Sequence, residues 1–292
     1  MPRKTMFVGV LCAALLGAFA APQANGDLPE LKARGVIRHL GVPYANFVTG
    51  AGDGFSVDIV KRFAEHLGVR YEYVATDWDT VIPDLIGREV KASGGDAKLG
   101  GVVPVRGDLI ANGLTIIPWR EKVVRFSTPV FPTQIWFVVR SDSPIRPIEP
   151  SGDLETDIAA VRTLLRGHSV LGKLNTCLDP TLYDIASTGA RTVLFAGSLN
   201  DMAGVVIKGE TDATLLDVPD ALVALKKWPG LIKVVGPLSP VQEMGVGFRP
   251  DSPQLLKAFE IFLREIKKNG TYHGIVEKYY PLAFSYFPEF FK

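Results

Sequence analysis

Strand-like and helix-like patterns alternate along this chain, and that alternation restricts it to an α/β architecture. Val36–Val42 reads as a strand and Gly50–Gly54 as a turn. Phe55 to Leu67 then places Ile59, Val60, Phe63, Ala64 and Leu67 on one helical stripe. Lys61, Arg62, Glu65 and His66 lie opposite, and Gly68 is the stop. Val69–Val74 alternates like a strand, and Asp77–Thr80 opens a helix with Pro83 in its first turn. Lys91–Val103 is rich in Gly and Lys, has no period and reads as an exposed loop. Strand patterns resume at Asp108–Ile117 and Gln134–Arg140.

From Arg140 to Pro240 the chain behaves as a unit of its own. Val170–Leu174, Thr211–Asp217 and Lys233–Gly236 read as strands, with a short helix at Leu222–Trp228. The C-terminal part is helical. Ser252 and Pro253 read as cap and first residue of a helix whose stripe is Leu255, Leu256, Phe259, Phe262, Leu263 and Ile266. Gly270 ends it, Thr271 caps a shorter helix, and the aromatic Phe284–Phe291 segment packs back on the core.

The N-terminus carries Arg3 and Lys4, then an uncharged apolar run from Met6 to Ala20 that ends in Ala18-Phe19-Ala20. This is the pattern of a cleaved secretory leader, residues 1–20. It fits better than a retained anchor, which needs about 20 apolar residues. A lipoprotein fits poorly, because Leu11 precedes Cys12 where a small residue is required. Loss of the leader turns a formal charge of +1 into −1, which excludes the basic footprint of a nucleic-acid partner. It also leaves Cys177 as the one cysteine, so an internal disulfide is excluded. A lone thiol of this kind reads as a buried apolar group.

Catalytic motifs are missing. His39, His66, His168 and His273 are scattered without metal-ligand spacing. The chain has no Gly-x-Ser-x-Gly motif, and no Walker lysine follows Gly50–Gly54. The expectation is therefore no catalytic residue, no metal and no cofactor.

Four stretches carry a resemblance: Gly54–Ile59 with its helix ending at Leu67-Gly68, Gly113–Lys122, Val124–Pro129 and Glu210–Asp217. Their order and spacing resemble the type 2 periplasmic solute-binding proteins, in the polar amino-acid branch that serves ABC transporters. The resemblance implies two α/β lobes joined by two crossover segments, with a small ligand held between them. Residues 27–132 and 241–292 would form lobe one, and residues 133–240 lobe two. It further implies a periplasmic monomer whose partners are an amino acid or related carboxylate and the membrane subunits of an ABC transporter.

A free amino acid presents a carboxylate and an ammonium, and burying either one is costly unless it is paired. The fork of Arg120 suits the carboxylate. Gly113 and Thr115 precede it at the spacing of the family's binding loop. Asp217, at the end of an apolar strand, suits the ammonium, though a helix cap for the segment from Pro219 is an equally simple role. Asp220 reads as a helical or surface acid. In the family, a Lys-x-Gly-Thr-like segment supplies donors at a helix N-terminus. Here it reads Lys173-Leu174-Asn175-Thr176, with Asn in the left-handed position, and an ordinary capped turn fits as well. Tyr44 and Trp78 fall where the family stacks aromatic walls, Phe47 and Trp119 less clearly, and all four also suit a core. Some members place an acid near Gly41 to hold a polar or basic side chain, which glycine cannot do. Trp119 before the arginine and the Lys91–Val103 insertion are further departures.

Two enzyme classes share such a fold. A lytic transglycosylase needs an added domain for which this chain is too short. A dehydratase of prephenate- or arogenate-like acids stays open, as does a ligand-sensing module for a membrane receptor.

Overall fold

This computed structural model describes residues 26–93 and 95–292, so the expected leader at 1–20 lies outside the described residues. The chain begins with α1 (Leu28–Arg34), β1 (Val36–Gly41), α2 (Phe55–Leu67), β2 (Arg70–Ala75) and α3 (Val81–Ile86). Next come β3 (Arg88–Ser93), β4 (Asp96–Val102), β5 (Leu109–Thr115), α4 (Pro118–Glu121), β6 (Arg125–Phe126) and β7 (Phe131–Thr133). The middle holds β8 (Ile135–Arg140), α5 (Leu154–Thr163), β9 (Ser169–Gly172), β10 (Arg191–Leu194), α6 (Met202–Ile207), β11 (Ala213–Asp217), α7 (Val218–Lys227) and β12 (Ile232–Pro237). β13 (Gln242–Phe248), α8 (Pro253–Lys268), α9 (Thr271–Tyr279) and α10 (Ala283–Tyr286) close it.

The strands build one sheet in the order β2-β1-β5-β13-β6, with β7 also on β13, and a second in the order β10-β9-β11-β8-β12. β1 runs parallel to β2 and to β5, so each link needs a crossover, which α2 and α3 provide. β5 and β11 are buried along their whole length, as strands covered on both faces are, polar Asn112, Thr115, Thr214 and Asp217 included. Chain passes from the first sheet to the second at Gln134 and returns through residues 238–241. The crossings are tied to each other. Ile135 N–H donates to Ser239 Oγ at 2.9 Å, Leu238 N–H to the Ile135 carbonyl at 2.7 Å, and Gln134 Nε2 to the Ser239 carbonyl at 3.0 Å. The architecture is thus two α/β lobes on a paired, hydrogen-bonded hinge.

Helix α2 buries the expected stripe and ends on Gly68 at φ +70°. Phe63 meets Phe259 of α8 edge to face at 5.2 Å. Phe47 sits among Phe55, Phe131 and Tyr280, with ring centroids 5.2–5.6 Å away. Each such ring buried contributes about 2–3 kcal/mol. Phe291 reaches Phe131 at 6.1 Å, so the aromatic C-terminus packs inward. Among the described residues, no helix is long and apolar enough to cross a membrane.

Some local expectations fail. Lys91–Val103 is exposed but is not a loop: β3 and β4 pair antiparallel from Arg88↔Val102 to Ser93↔Asp96. Val90, Ala92 and Ala97 rest on the cluster containing Trp119 and Leu85, and this one-sided anchoring orders the hairpin. Ser252 takes the cap position of α8 without a capping bond. Asp27 does that work, accepting from Leu255 N–H at 2.8 Å and Gln254 N–H at 3.2 Å. Thr271 is the first helical residue of α9, and Gly270 stands at its cap.

Candidate functional site

Arg120 is 1% exposed, making it the largest fully buried side chain described. Helix α4 follows β5 closely, and Pro118 starts that short helix without needing a donor. Nη1 donates to the Thr115 carbonyl at 3.0 Å, and Nη2 crosses to the second lobe, to the Asn175 carbonyl, at 3.2 Å. The guanidinium lies over Trp119 (5.3 Å) and Trp78 (5.9 Å). Among the described residues it has no carboxylate partner, and Nε has no hydrogen bond. Burial alone pushes its pKa down to about 10.

Thr115 ends β5, fully buried, with Oγ1 unpartnered among the described residues. Gly113 has φ +74°, and a Cβ there would stand 2.7 Å from the Phe47 ring. Its glycine therefore lets Phe47 reach the strand. Tyr44 stacks on Phe47 at 6.0 Å and meets Trp78 edge to face at 5.5 Å. Its hydroxyl and Trp78 Nε1 are buried without a well-formed hydrogen bond among the described residues.

On the second lobe, Asp217 closes β11 with no exposure. It is the N-cap of α7, with Oδ1 accepting from Asp220 N–H at 3.2 Å. The capping role thus exists, and it leaves Oδ2 facing the Cys177 thiol at 3.6 Å. Burial raises the Asp217 pKa to about 6, against the favourable influence of the Tyr44 hydroxyl, the Asp220 N–H and the Cys177 thiol. No basic side chain pairs with Asp217 among the described residues. Asp220 lies on α7, as the helical one of its two sequence readings had it, and is buried, so it is not a surface acid. Its pKa is raised by burial and by Asp217.

Thr176 and Lys173 behave differently. Thr176 is buried, but its hydroxyl donates to the Lys173 carbonyl at 2.8 Å and accepts from Leu178 N–H at 3.0 Å. No α-helix starts there. The next helical turn is the 3-10 segment Pro180–Tyr183, capped by Asp179, so no helix dipole serves Thr176. Asn175 does take the left-handed conformation, at φ +61°. The Lys173 ammonium turns to the rim and donates to the Gly197 carbonyl at 3.0 Å.

The closed lobes therefore bring Arg120, Thr115, Tyr44, Trp78 and Asp217 to one place. Gly113 stands behind them, Thr176 is spent internally and Lys173 lies outside. Asn175, from the Lys173–Thr176 segment read in the sequence, joins the site through its carbonyl, and Cys177, Tyr183 and Asp220 join it without a sequence signal. The Tyr183 hydroxyl donates to the Cys177 carbonyl at 2.6 Å. The Cys177 thiol is pushed up to about 12, mainly by burial and then by Asp217, which keeps it protonated and inert as a nucleophile.

Known proteins share this frame. The L-cystine-binding protein TcyJ of Escherichia coli K12 is 26% identical over 284 residues, covering 95% of both chains. The crystal structure of the P235GK mutant of ArgBP from T. maritima superposes with a TM-score of 0.69 at 28% identity, over 87% of this chain and 99% of that one. An ancestral amino-acid-binding protein, AncCDT-1, described as a precursor of cyclohexadienyl dehydratase, gives 0.67 at 25% identity, over 87% and 98%. The model of the bacterial extracellular solute-binding proteins, family 3, matches residues 40–96 and 89–281, so the chain belongs to that family.

Proposed function

We propose that this chain is a periplasmic solute-binding protein that clamps a small amino-acid-like ligand between its lobes and hands it to an ABC transporter. Lobe one takes residues 27–132 and 241–292, and lobe two residues 133–240. The carrying observation is a pair of buried, oppositely charged groups that lack ionic partners among the described residues and belong to opposite lobes. Arg120 meets the ligand carboxylate, and Thr115 and Trp78 offer it further polar atoms. Asp217 meets the ammonium, and Tyr44 walls the space between. A ligand carrying both charges is matched to both lobes only when they close, so binding and closure are one equilibrium. The amino-acid ligands in the names of similar proteins support this class of ligand. The protein acts as a monomer without a cofactor. Native mass spectrometry of the purified protein tests the reading: a co-purified amino acid is expected. Recovery of only uncharged solutes, with no calorimetric response to any amino acid, would sink it.

One observation favours a second reading. Asp217 and Asp220 are buried acids of raised proton affinity, the state a general acid needs. A dehydratase of prephenate- or arogenate-type acids would show turnover of those substrates that is lost in Asp220→Asn.

A further inference from the structure

Asn175 holds the two lobes with both of its ends. Its carbonyl accepts from Arg120 Nη2 at 3.2 Å, and its side-chain amide donates to Asp79 Oδ1 at 3.0 Å. Arg120 and Asp79 belong to the first lobe, and Asn175 follows β9 of the second. Asp79 is itself fixed, because its N–H donates to Asp77 Oδ1 at 2.9 Å. Trp78 lies next to Asp79 in the chain and against Arg120 in space, so the Asn175 contacts bracket the guanidinium and its aromatic wall. The conformation sharpens the point. At φ +61° glycine would be at ease, while most side chains are strained. Glycine would keep the carbonyl contact to Arg120. What asparagine adds is the amide that reaches Asp79.

We propose that Asn175 is a positioning residue and an interlobe latch: its carbonyl seats Arg120, and its amide holds the closed clamp through Asp79. The inference rests on the clamp reading of the site. Opening the lobes returns both contacts to water. They therefore bias the ligand-free protein toward closure and slow release of whatever is bound. The Asn175–Asp79 bond is solvent-exposed, so its effect is modest, about threefold to tenfold on the closed-to-open ratio.

The protein carries its own reporter of opening. Cys177 is 5% exposed in the closed form and borders Thr115 and Arg120 of the other lobe. In a Cys12→Ser background it is the sole thiol, and its rate of reaction with Ellman's reagent measures how often the lobes part. Asn175→Gly and Asp79→Ala should each speed labelling by about threefold to tenfold. Asn175→Asp sets a carboxylate against Asp79 and should speed it further. The reciprocal pair Asn175→Asp with Asp79→Asn exchanges amide and carboxylate and should return the rate to near that of the parent. A merely structural role for the Asn175 turn does not predict that rescue. Parental rates in both Asn175→Gly and Asp79→Ala, or an exchanged pair no slower than Asn175→Asp alone, would overturn the latch. The parent with L-arginine or L-lysine added separates this from failure of the clamp. A thiol as reactive as one in open solvent, unaffected by either amino acid, would remove the clamp and the latch together.

Discussion

The Asp217 carboxylate accepts a hydrogen bond from the Asp220 N–H at 3.2 Å, so two acids share one buried turn between β11 and α7. Neither has a basic partner among the described residues, and burial raises the pKa of both. For Asp217 the shift is from 3.8 to about 6. A carboxyl whose folded pKa exceeds its unfolded value disfavours the folded state wherever it is ionised. The penalty is absent below about pH 4, grows as pH rises toward 6 and is fully present above that, at about 2–3 kcal/mol for Asp217. The ligand-free protein should therefore gain stability on going from pH 7.5 to pH 5.5. Asp217→Asn keeps a competent N-cap and removes the charge. It should raise Tm at pH 7.5 and flatten the profile in scanning calorimetry. A variant melting below the parent at pH 7.5 would contradict this account.

Arg120 is the mirror case on the other lobe. A buried guanidinium without an anion costs stability in the ligand-free protein, while the ligand's carboxylate depends on it. Arg120→Ala should weaken binding of the native ligand by about 2–5 kcal/mol in titration calorimetry. Arg120→Met fills similar space without charge. It should abolish binding yet melt no lower than the parent when ligand-free. Unchanged affinity in the alanine variant would remove Arg120 from the site.

Asp217 alone turns capture of a carboxylate into capture of an amino acid. Asp217→Asn should therefore weaken amine-bearing ligands by about tenfold or more, and their deaminated analogues much less. Equal losses for both series, measured by calorimetry at pH 7.5, would mean that no ammonium meets Asp217.

These acids also mark how far the sequence reaches. α2 was legible because Ile59, Val60, Phe63 and Ala64 repeat at helical spacing and Gly68 supplies the left-handed stop. The β3–β4 hairpin was not. Ser93-Gly94-Gly95 and Gly100-Gly101 dilute its alternation, and its order comes from resting on the Trp119 cluster. Arg120 and Thr115 could be singled out because their loop is local and patterned. Asn175 was legible as a left-handed turn residue but not as a contact of Arg120, and Cys177 and Tyr183 were not legible as site residues. The Asn175–Arg120 and Cys177–Thr115 contacts cross between lobes, and Cys177–Asp217 joins positions 40 residues apart within the second lobe, so none of them is local in the sequence. Thr176 shows the converse: the motif was visible, but the backbone after it turns instead of starting an α-helix, so its hydroxyl is consumed locally.

Gly113 links the fold to the site through one ring. Its φ of +74° disfavours any side chain, and a Cβ would meet Phe47 Cδ2 at 2.7 Å. Phe47 is fully buried against Phe55, Phe131 and Tyr280, so it has little room to retreat. Gly113→Ala should thus cost about 2–4 kcal/mol, combining backbone strain with overpacking. Phe47 also supports Tyr44 from behind, so a displaced ring tilts the Tyr44 wall and weakens ligand binding along with stability. The two contributions separate in a double-mutant cycle. Phe47→Leu opens space beside residue 113 and should relieve the steric part, leaving Gly113→Ala with a residual cost of about 1 kcal/mol from its left-handed backbone. If Gly113→Ala costs the same with and without the ring in urea titrations, the Phe47 contact is not what requires glycine there.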